Sequence, residues 1–553
     1  MTNELMQGLG CHDRSDTEDL QKLRESASLC GFAREEDGTV TIFGLMMFVL
    51  MIGVGGIAID VMRYETQRVQ LQYTLDRAIL AAAAMTQEED AEVVVRNYFE
   101  VSGLENYRLT ILPEEGFNYR RVSAHAEMDI NSVFMHMFGV RAMTSPAYSV
   151  AEERVQNVEI SLVLDISGSM GWNGKLRNMQ TAAREFVTAV MEPNDYGTDE
   201  MLVSMSIVPY NGRVNAGSTI ESVFTLSNEH NESSCTRFDQ ADFQTTAIDP
   251  AQPIERLAHF DYDNRARYST FRWPHCQTDD YGAILPWSHD IAALHSHIDS
   301  LNADGWTAID LGMKWAVGLL DPAAAPALQA LESSGVVHSD FVDRPEVFND
   351  RETMKIIVLM TDGENTNQYD VVQEFKRGPS TILYHEEDDR WSMYMPETGL
   401  YWIPDGDYDD DDGIYSLNPY DDGNANDGHE SVPRSWPYFW ARWSARMMAG
   451  EFYWHGSRGY FGDWDYYRDL RYNSIELYAG ANEADANLRA ICDAAREQGI
   501  IVFTIAFEAP QRGEEVMRYC ATEPVNYYDV EGTEISQAFA SIANTIDQLK
   551  LVQ

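Results

Sequence analysis

The chain has 553 residues, with 89 acidic against 40 basic side chains and a formal charge of −49. Phosphate backbones are bound by clustered Lys and Arg, so this balance excludes nucleic acid as a partner and disfavours docking on anionic lipid through a basic surface. The length leaves room for two to four domains and a large core, and the acidity reads as a solvated surface suited to a salty exterior.

Residues 1–37 are a polar tail of mixed charge. Gly38 to Ile59 follows as 22 uncharged residues rich in Met, Phe, Leu, Val and Ile, enough to cross a bilayer as a helix. It is too long and too far from the start for an ordinary signal peptide, and no Ala-x-Ala site closes it, so it reads as a retained anchor. Lys22, Arg24 and Arg34 before it and Arg63, Arg68 and Arg77 after it leave the positive-inside rule nearly tied. The helical pattern continues through residues 60–85, with Val61, Tyr64, Leu71, Leu75 and Ala78 near one face and Ala81 to Ala84 prolonging it.

Glu35-Glu36-Asp37-Gly38 before the apolar run, Ile59-Asp60-Val61-Met62-Arg63 at its end, and Leu71-Gln72 before the alanines resemble the N-terminal region of TadG-like proteins over residues 31–85. That family belongs to the bacterial Tad (tight adherence) system, which assembles Flp pili. The resemblance implies a single-pass inner-membrane protein, with the tail in the cytoplasm and the large C-terminal part periplasmic or extracellular. Related pilin-like proteins carry a glutamate five residues into the mature apolar segment. Phe43 stands at that place here, so an uncleaved anchor is expected.

Residues 86–157 read as a small α+β connector. Strands are expected at Arg108–Leu112, Arg121–Ile130 and Ala147–Ala151, with a short helix at Ser132–Gly139. From 158 to 553 strands and helices alternate, the mark of a mostly parallel sheet covered on both faces, hence α/β. Strands are expected at Val158–Leu164, Leu202–Pro209, Met354–Met360, Ile500–Phe507 and Val525–Asp529. Helices are expected at Leu176–Met191, Ala308–Leu320, Asn487–Gln498 and Ile535–Leu549, with a further one at Trp287–Leu301.

Insertions interrupt the sheet at about 210–303 and 364–475. The second holds 22 acidic against nine basic residues, yet also seven of the 12 tryptophans, so much of it should fold around buried rings. Both insertions are candidates for shaping partner choice.

Asp165-Ile166-Ser167-Gly168-Ser169 ends the first of those strands and precedes a helical stretch from Gly174 to Met191. One carboxylate and two hydroxyls in a tight loop are hard oxygen ligands of the kind Mg²⁺ takes, although Asp, Ser and Gly also make ordinary turns and caps. Downstream, Asp304-Gly305-Trp306-Thr307 opens a helix with apolar Ile309, Met313, Val317 and Leu320, and the strand Met354–Met360 runs into Thr361-Asp362-Gly363.

This set resembles the metal-ion-dependent adhesion site (MIDAS) of von Willebrand factor type A domains. The resemblance implies a Rossmann-like doubly wound sheet holding Mg²⁺ (or Mn²⁺ or Ca²⁺) through Asp165, Ser167, Ser169, Thr307 and Asp362. It also implies a protein that is no enzyme, takes an Asp or Glu carboxylate of its partner at an open metal position, and shifts its last helix as the metal shell changes. With the anchor, the expectation is a membrane-anchored, metal-dependent adhesion component of Tad/Flp pilus assembly, its partners being pilus-assembly or envelope proteins. The alternative is a structural envelope scaffold or a surface adhesin unrelated to pili, in which the metal only stiffens the loops.

Cys11 and Cys30 lie in the tail, and Cys235, Cys276, Cys492 and Cys520 in the C-terminal part. Those four allow three pairings; the neighbouring pairs 235–276 and 492–520 would place that part in an oxidising compartment, against the alternative of four buried thiols. The end of the chain, from Cys492 to Tyr527-Tyr528-Asp529, also resembles the TadG-like family, which makes the 492–520 disulfide plausible.

Other signals are weaker. The run Asp405 to Gly413 fails the EF-hand template, which wants Gly and Glu where Asp412 and Asn418 stand, and reads as a solvated charge run. His289, His295 and His297 lack metal-ligand spacing. No Gly-x-Ser-x-Gly elbow, Walker A lysine loop or His-Glu-x-x-His helix is present, and Ser167 and Ser169 have no base at motif spacing.

Overall fold

The computed structural model describes residues 37–84, 87, 89–115, 119–155, 157–191, 201–261, 274–348, 350, 353–396, 398–405, 413–421, 430–454 and 468–552. The N-terminal tail with Cys11 and Cys30, and the acidic run 406–412, lie outside them. The chain divides into two compact units, residues 1–153 and 154–552.

The first unit begins with α1 (Asp37–Ala83), one continuous helix of 47 residues. Its first half presents Phe43, Met46, Phe48 and Leu50 outward, and it is long and apolar enough to cross a membrane. Its second half is an ordinary core helix. Leu71, Leu75, Ala78, Ile79 and Ala82 are fully buried, at the three- and four-residue spacing of one helical face. They pack with α2 (Ala91–Val101) and with β1 (Tyr107–Glu115) and β2 (Tyr119–Asn131), an antiparallel pair in register from Tyr107↔Met128. Along β2, Val122, Ala124, Ala126, Met128 and Ile130 are all buried, the two-residue period of a strand with one face on a core. The third strand, β3 (Ala142–Val155), lies on the other side of β2.

Two features differ from the sequence pattern. Helix α2 was masked by its β-branched run Val93-Val94-Val95; its start is fixed by Asp90, which accepts from the amides of Glu92 and Val93. The helix expected at 132–139 is a loop with a single 3₁₀ turn, Met135–Phe138, ended by Gly139 at φ 91°.

The second unit opens with β4 (Asn157–Asp165), α3 (Lys175–Met191), β5 (Val203–Tyr210), β6 (Leu285–Ser288), α4 (Ile291–Ser300), α5 (Ile309–Leu320) and β7 (Thr353–Thr361). The second insertion contributes β8 (Gln368–Val371), β9 (Pro379–His385), β10 (Arg390–Met395), β11 (Leu400–Pro404), β12 (Gly413–Ser416) and β13 (Val432–Ser435). The chain closes with β14 (Ile475–Ala479), α6 (Ala481–Glu497), β15 (Ile501–Phe507), α7 (Gln511–Cys520), β16 (Tyr527–Val530) and α8 (Glu534–Lys550).

The main sheet runs β16-β15-β7-β4-β5-β6, with every pair parallel except the edge pair β5–β6. Its central strands are buried on both faces, which explains their largely apolar sequence; the charges they do bury, Glu159 of β4 and Lys355 of β7, pair with each other. Val163 of β4 joins a core with Leu311, Trp315, Ile491 and Val516 of α5, α6 and α7, while Leu162 and Leu164 join another with Phe186, Leu294 and Ile542 of α3, α4 and α8.

The helix expected from Trp287 instead begins at Ile291. Asp290 caps it by accepting from Ala292 and Ala293, and Trp287 sits on the antiparallel edge strand, its indole donating to Leu319 O at 3.0 Å. Strand β6 and helix α4 therefore belong to the framework, and the first insertion shrinks to about 211–284. Cys235–Cys276 ties that insertion together, and Cys492–Cys520 joins α6 to the end of α7. The second insertion builds an antiparallel sheet of order β12-β11-β10-β9-β13, with the pair β8–β14 at its base. Trp391, Trp402, Trp436 and Trp440 are buried in its core, together with Ala258 and Phe260 of the first insertion.

Candidate metal centre

In an open parallel sheet the strand order reverses once, and the crevice beyond the carboxyl ends of the strands at that point is where ligands bind. Here the reversal falls between β4 and β7. Asp165 is the last residue of β4, and Asp362 directly follows β7. Both are buried, so two carboxylates face one crevice with little access to water.

Asp165 is fixed by three donors. Its Oδ1 accepts from the Ser167 amide at 2.7 Å, and its Oδ2 from the Thr361 hydroxyl at 2.7 Å and the Asp362 amide at 3.4 Å. Burial, and then the negative charge of Asp362, push its carboxyl up to about 6. The two serines converge on the partner carboxylate: Ser169 Oγ donates to Asp362 Oδ1 at 2.7 Å, Ser167 Oγ lies 3.5 Å from the same oxygen, and the hydroxyls are 3.2 Å apart.

The loop carrying Thr307 is tied to this group through backbone. Gly168 N donates to Gly305 O at 3.0 Å and Asp304 N to Ile166 O at 2.9 Å. A Cβ on Gly168 would stand 3.2 Å from Gly305 O, so glycine permits this approach. On the other side, a Cβ on Gly363 would stand 3.2 Å from Thr307 Oγ1, which places that hydroxyl beside the Asp362-Gly363 turn. Thr307 O accepts from Thr366, and Asn365 Oδ1 accepts from the Ile309 amide at the start of α5. The structure thus brings Asp165, Ser167, Ser169 and Asp362 into direct contact and sets Thr307 against the same turn.

Sequence reasoning missed three neighbours. Lys175, in the first turn of α3, puts its ammonium 3.1 Å from Asp362 Oδ2 and 3.7 Å from Glu508 Oε2. Glu508 follows β15 at φ 51°, an uncommon conformation for a non-glycine residue. Thr361, adjacent to Asp362, orients Asp165. Thr361 stood next to Asp362 and Lys175 ten residues after Asp165 in the sequence, whereas nothing there pointed to Glu508.

The three histidines do not converge. His289 meets the ring of His338 edge-on, His295 Nε2 lies 3.2 Å from Thr188 Oγ1, and His297 is on α4. Among the described residues no group of three or more His, Cys, Asp or Glu stands together as a metal cluster. The crevice is instead a mixed set of two carboxylates and three hydroxyls. All are hard oxygen donors, and the paired buried negative charges suit a divalent cation of the Mg²⁺, Mn²⁺ or Ca²⁺ kind.

A doubly wound sheet of this order, with an Asp-x-Ser-x-Ser loop at its switch point, has the architecture of von Willebrand type A domains. Residues 38–85 match the family described as putative Flp pilus-assembly TadE/G-like, a match confined to the N-terminal region that precedes the doubly wound sheet. No curated protein matches the sequence.

Among solved structures, the chain is similar to the vWF domain of the type V pili tip protein Mfa5 from Porphyromonas gingivalis (14% identity, TM-score 0.31, 72% of this chain and 98% of that one). It is also similar to the pilus adhesin RrgA from Streptococcus pneumoniae (11%, 0.29, 79% and 49%). A third is proximal thread matrix protein 1 from the mussel byssus with a zinc-occupied MIDAS motif (10%, 0.25, 72% and 46%). Likenesses of this size add nothing to the strand order, which defines the fold by itself.

Proposed function

We propose that this protein is a membrane-anchored, non-enzymatic component of Flp pilus assembly that grips a protein partner through a divalent cation held by Asp165, Ser167, Ser169, Thr307 and Asp362. The observation that carries the reading is the convergence of two buried carboxylates and the serine hydroxyls at the switch point of the sheet. The cation supplies a concentrated positive charge and an open position for a carboxylate of the partner, which makes selective binding possible even on a strongly acidic chain.

The chain's own residues set the stage for it. The donors to Asp165 hold both its oxygens in place, so this carboxylate is already oriented, whereas an ion must take Asp362 from the Lys175 ammonium. Trp172 and Trp306, both well exposed, flank the Asp165 and Thr307 loops and offer the rigid aromatic surface that protein interfaces favour. Both insertions leave the sheet from the carboxyl ends of β5 and β7, the edge that holds the site, and so reach the same partner. Among the described residues no histidine is bonded to Ser167 or Ser169, which leaves neither hydroxyl with an imidazole base.

The test is capture of Flp pilus and envelope proteins by the full-length protein in detergent, with Mg²⁺ or with EDTA. Wild type should retain a partner only with the metal, and Asp165→Ala should retain none. Equal capture of the same partner in EDTA sinks the adhesion mechanism. That outcome would favour a structural scaffold, a reading to which the Lys175 ammonium on Asp362 lends some weight.

A further inference from the structure

We propose that the loop joining β2 to β3, residues 132–141, is a second membrane-inserted element, lying against α1 in the lipid leaflet next to Asp60. The proposal rests on α1 being the membrane-spanning anchor. It concerns the first unit alone.

The loop and the helix meet inside the uncharged run. Phe134 packs so tightly on Gly56 that a Cβ there would stand 2.6 Å from its ring, and Phe138 lies 3.6 Å from where a Cβ on Gly53 would be. Asp60 is the first charge after that run. At about 1.5 Å of rise per residue, Gly56 and Gly53 stand about 6 and 10 Å from Asp60 towards the middle of the span. The whole uncharged run measures about 33 Å by the same rise, against about 30 Å for a hydrocarbon core. With Asp60 at its boundary, the Phe138 ring lies within the hydrocarbon.

The chemistry of the loop fits that depth. Met137 is 76% exposed and Phe138 65%, and Val133 and Val140 are exposed beside them. Four exposed apolar side chains on one loop, beside a helix that turns Val54 and Ile59 outward, form a surface that water would not favour and lipid would.

Non-helical backbone survives in a bilayer only when its polar groups are satisfied within the protein. Here the amides of Val133, Phe134 and Met135 donate to the buried Asp60 carboxylate at 2.9, 2.7 and 2.7 Å. Those of Ser132, Met137, Gly139 and Val140 donate to Arg141, Phe134, His136 and Met135 carbonyls at 3.0 to 3.1 Å. Asp60 thus acts as the clamp that lets an irregular loop descend beside the helix. Arg63, one turn beyond it and exposed, and Arg141 at the loop's base stand where charged side chains can reach the headgroups.

The experiment uses the full chain with Cys11 and Cys30 replaced by serine, carrying a single fluorescent maleimide at Met137→Cys, Phe48→Cys or Val101→Cys, in phosphatidylcholine vesicles. Quenching by a nitroxide on the lipid acyl chain is compared with quenching by iodide in the water. The 48 probe should be quenched by the nitroxide and the 101 probe by iodide. The proposal expects the 137 probe to follow the 48 probe, several-fold more sensitive to nitroxide than to iodide. If it follows the 101 probe, or is shielded from both quenchers by a second copy or another protein, the loop proposal is overturned while the anchor stands. If the 48 probe also answers only to iodide, the anchor reading and the proposal fall together.

Discussion

At Lys175 one side chain sets the balance of the crevice. Its ammonium is buried against Asp362 and beside the half-buried Glu508, and it competes with any cation for the Asp362 carboxylate. Lys175→Met should raise Mg²⁺ affinity several-fold in calorimetric titration. Without metal it should cost about 3–5 kcal/mol of stability, because Asp362 loses its buried partner. Unchanged affinity would mean that the ammonium does not reach the ion's position.

Asp310, in the first turn of α5, behaves differently. Burial outweighs its hydrogen bond from Gln368 and pushes its carboxyl up to about 7. The folded state therefore holds a proton that the unfolded chain has released above an ordinary carboxylate pKa. Stability from this group is fullest at low pH and is lost as pH rises towards 7. Asp310→Asn removes that loss, so its advantage over wild type in chemical denaturation should grow by about 2–3 kcal/mol between pH 5 and pH 7. A constant difference would show that Asp310 is ionised throughout. Asp165, Ser167 and Ser169 were legible because they are contiguous. The roles of Lys175 and Glu508 were not, because only the packing of α3 and β15 brings them to the crevice, and Thr361, though next to Asp362, shows its bond to Asp165 only in the folded chain.

Among the elements, apolar strands buried on both faces announced themselves, whereas short edge elements did not. The four residues of β6 carry no period long enough to distinguish them from a helix start, and only Asp290 marks where α4 begins. The disulfide Cys492–Cys520 closes 28 residues through α6 and α7. Replacing both cysteines with serine should cost about 3–4 kcal/mol by loop entropy, read from the denaturation midpoint against the intact protein. In the insertions, tryptophan content pointed to folding but not to sharing. Trp440 packs among residues of both insertions. Trp440→Ala should cost about 3–5 kcal/mol locally. Hydrogen exchange should then quicken in 256–261 and 390–395 together while β4 and β7 stay protected. Loss confined to the second insertion would show that the two are independent.

For the molecule as a whole, the charge of −49 is a uniform repulsion that salt screens. The melting temperature should rise as NaCl goes from low to physiological and higher concentration, and a fall would point to ion pairs outweighing that repulsion. One feature of the sheet has a mechanical meaning. The chain coming from the anchor enters β4 at Asn157, and Asp165 ends the same strand. Between them β4 is paired with β5 from Val158↔Val203 to Asp165↔Tyr210 and with β7 from Asn157↔Thr353 to Leu164↔Met360. Tension between the tether and anything held at Asp165 runs lengthwise along that strand. The covalent backbone of a strand that is already extended carries this load, so the ladders to β5 and β7 need not open to transmit it. The tether and anything held at Asp165 would sit at the two ends of one central strand, so a pull between them meets no slack in the chain and leaves the sheet on either side intact.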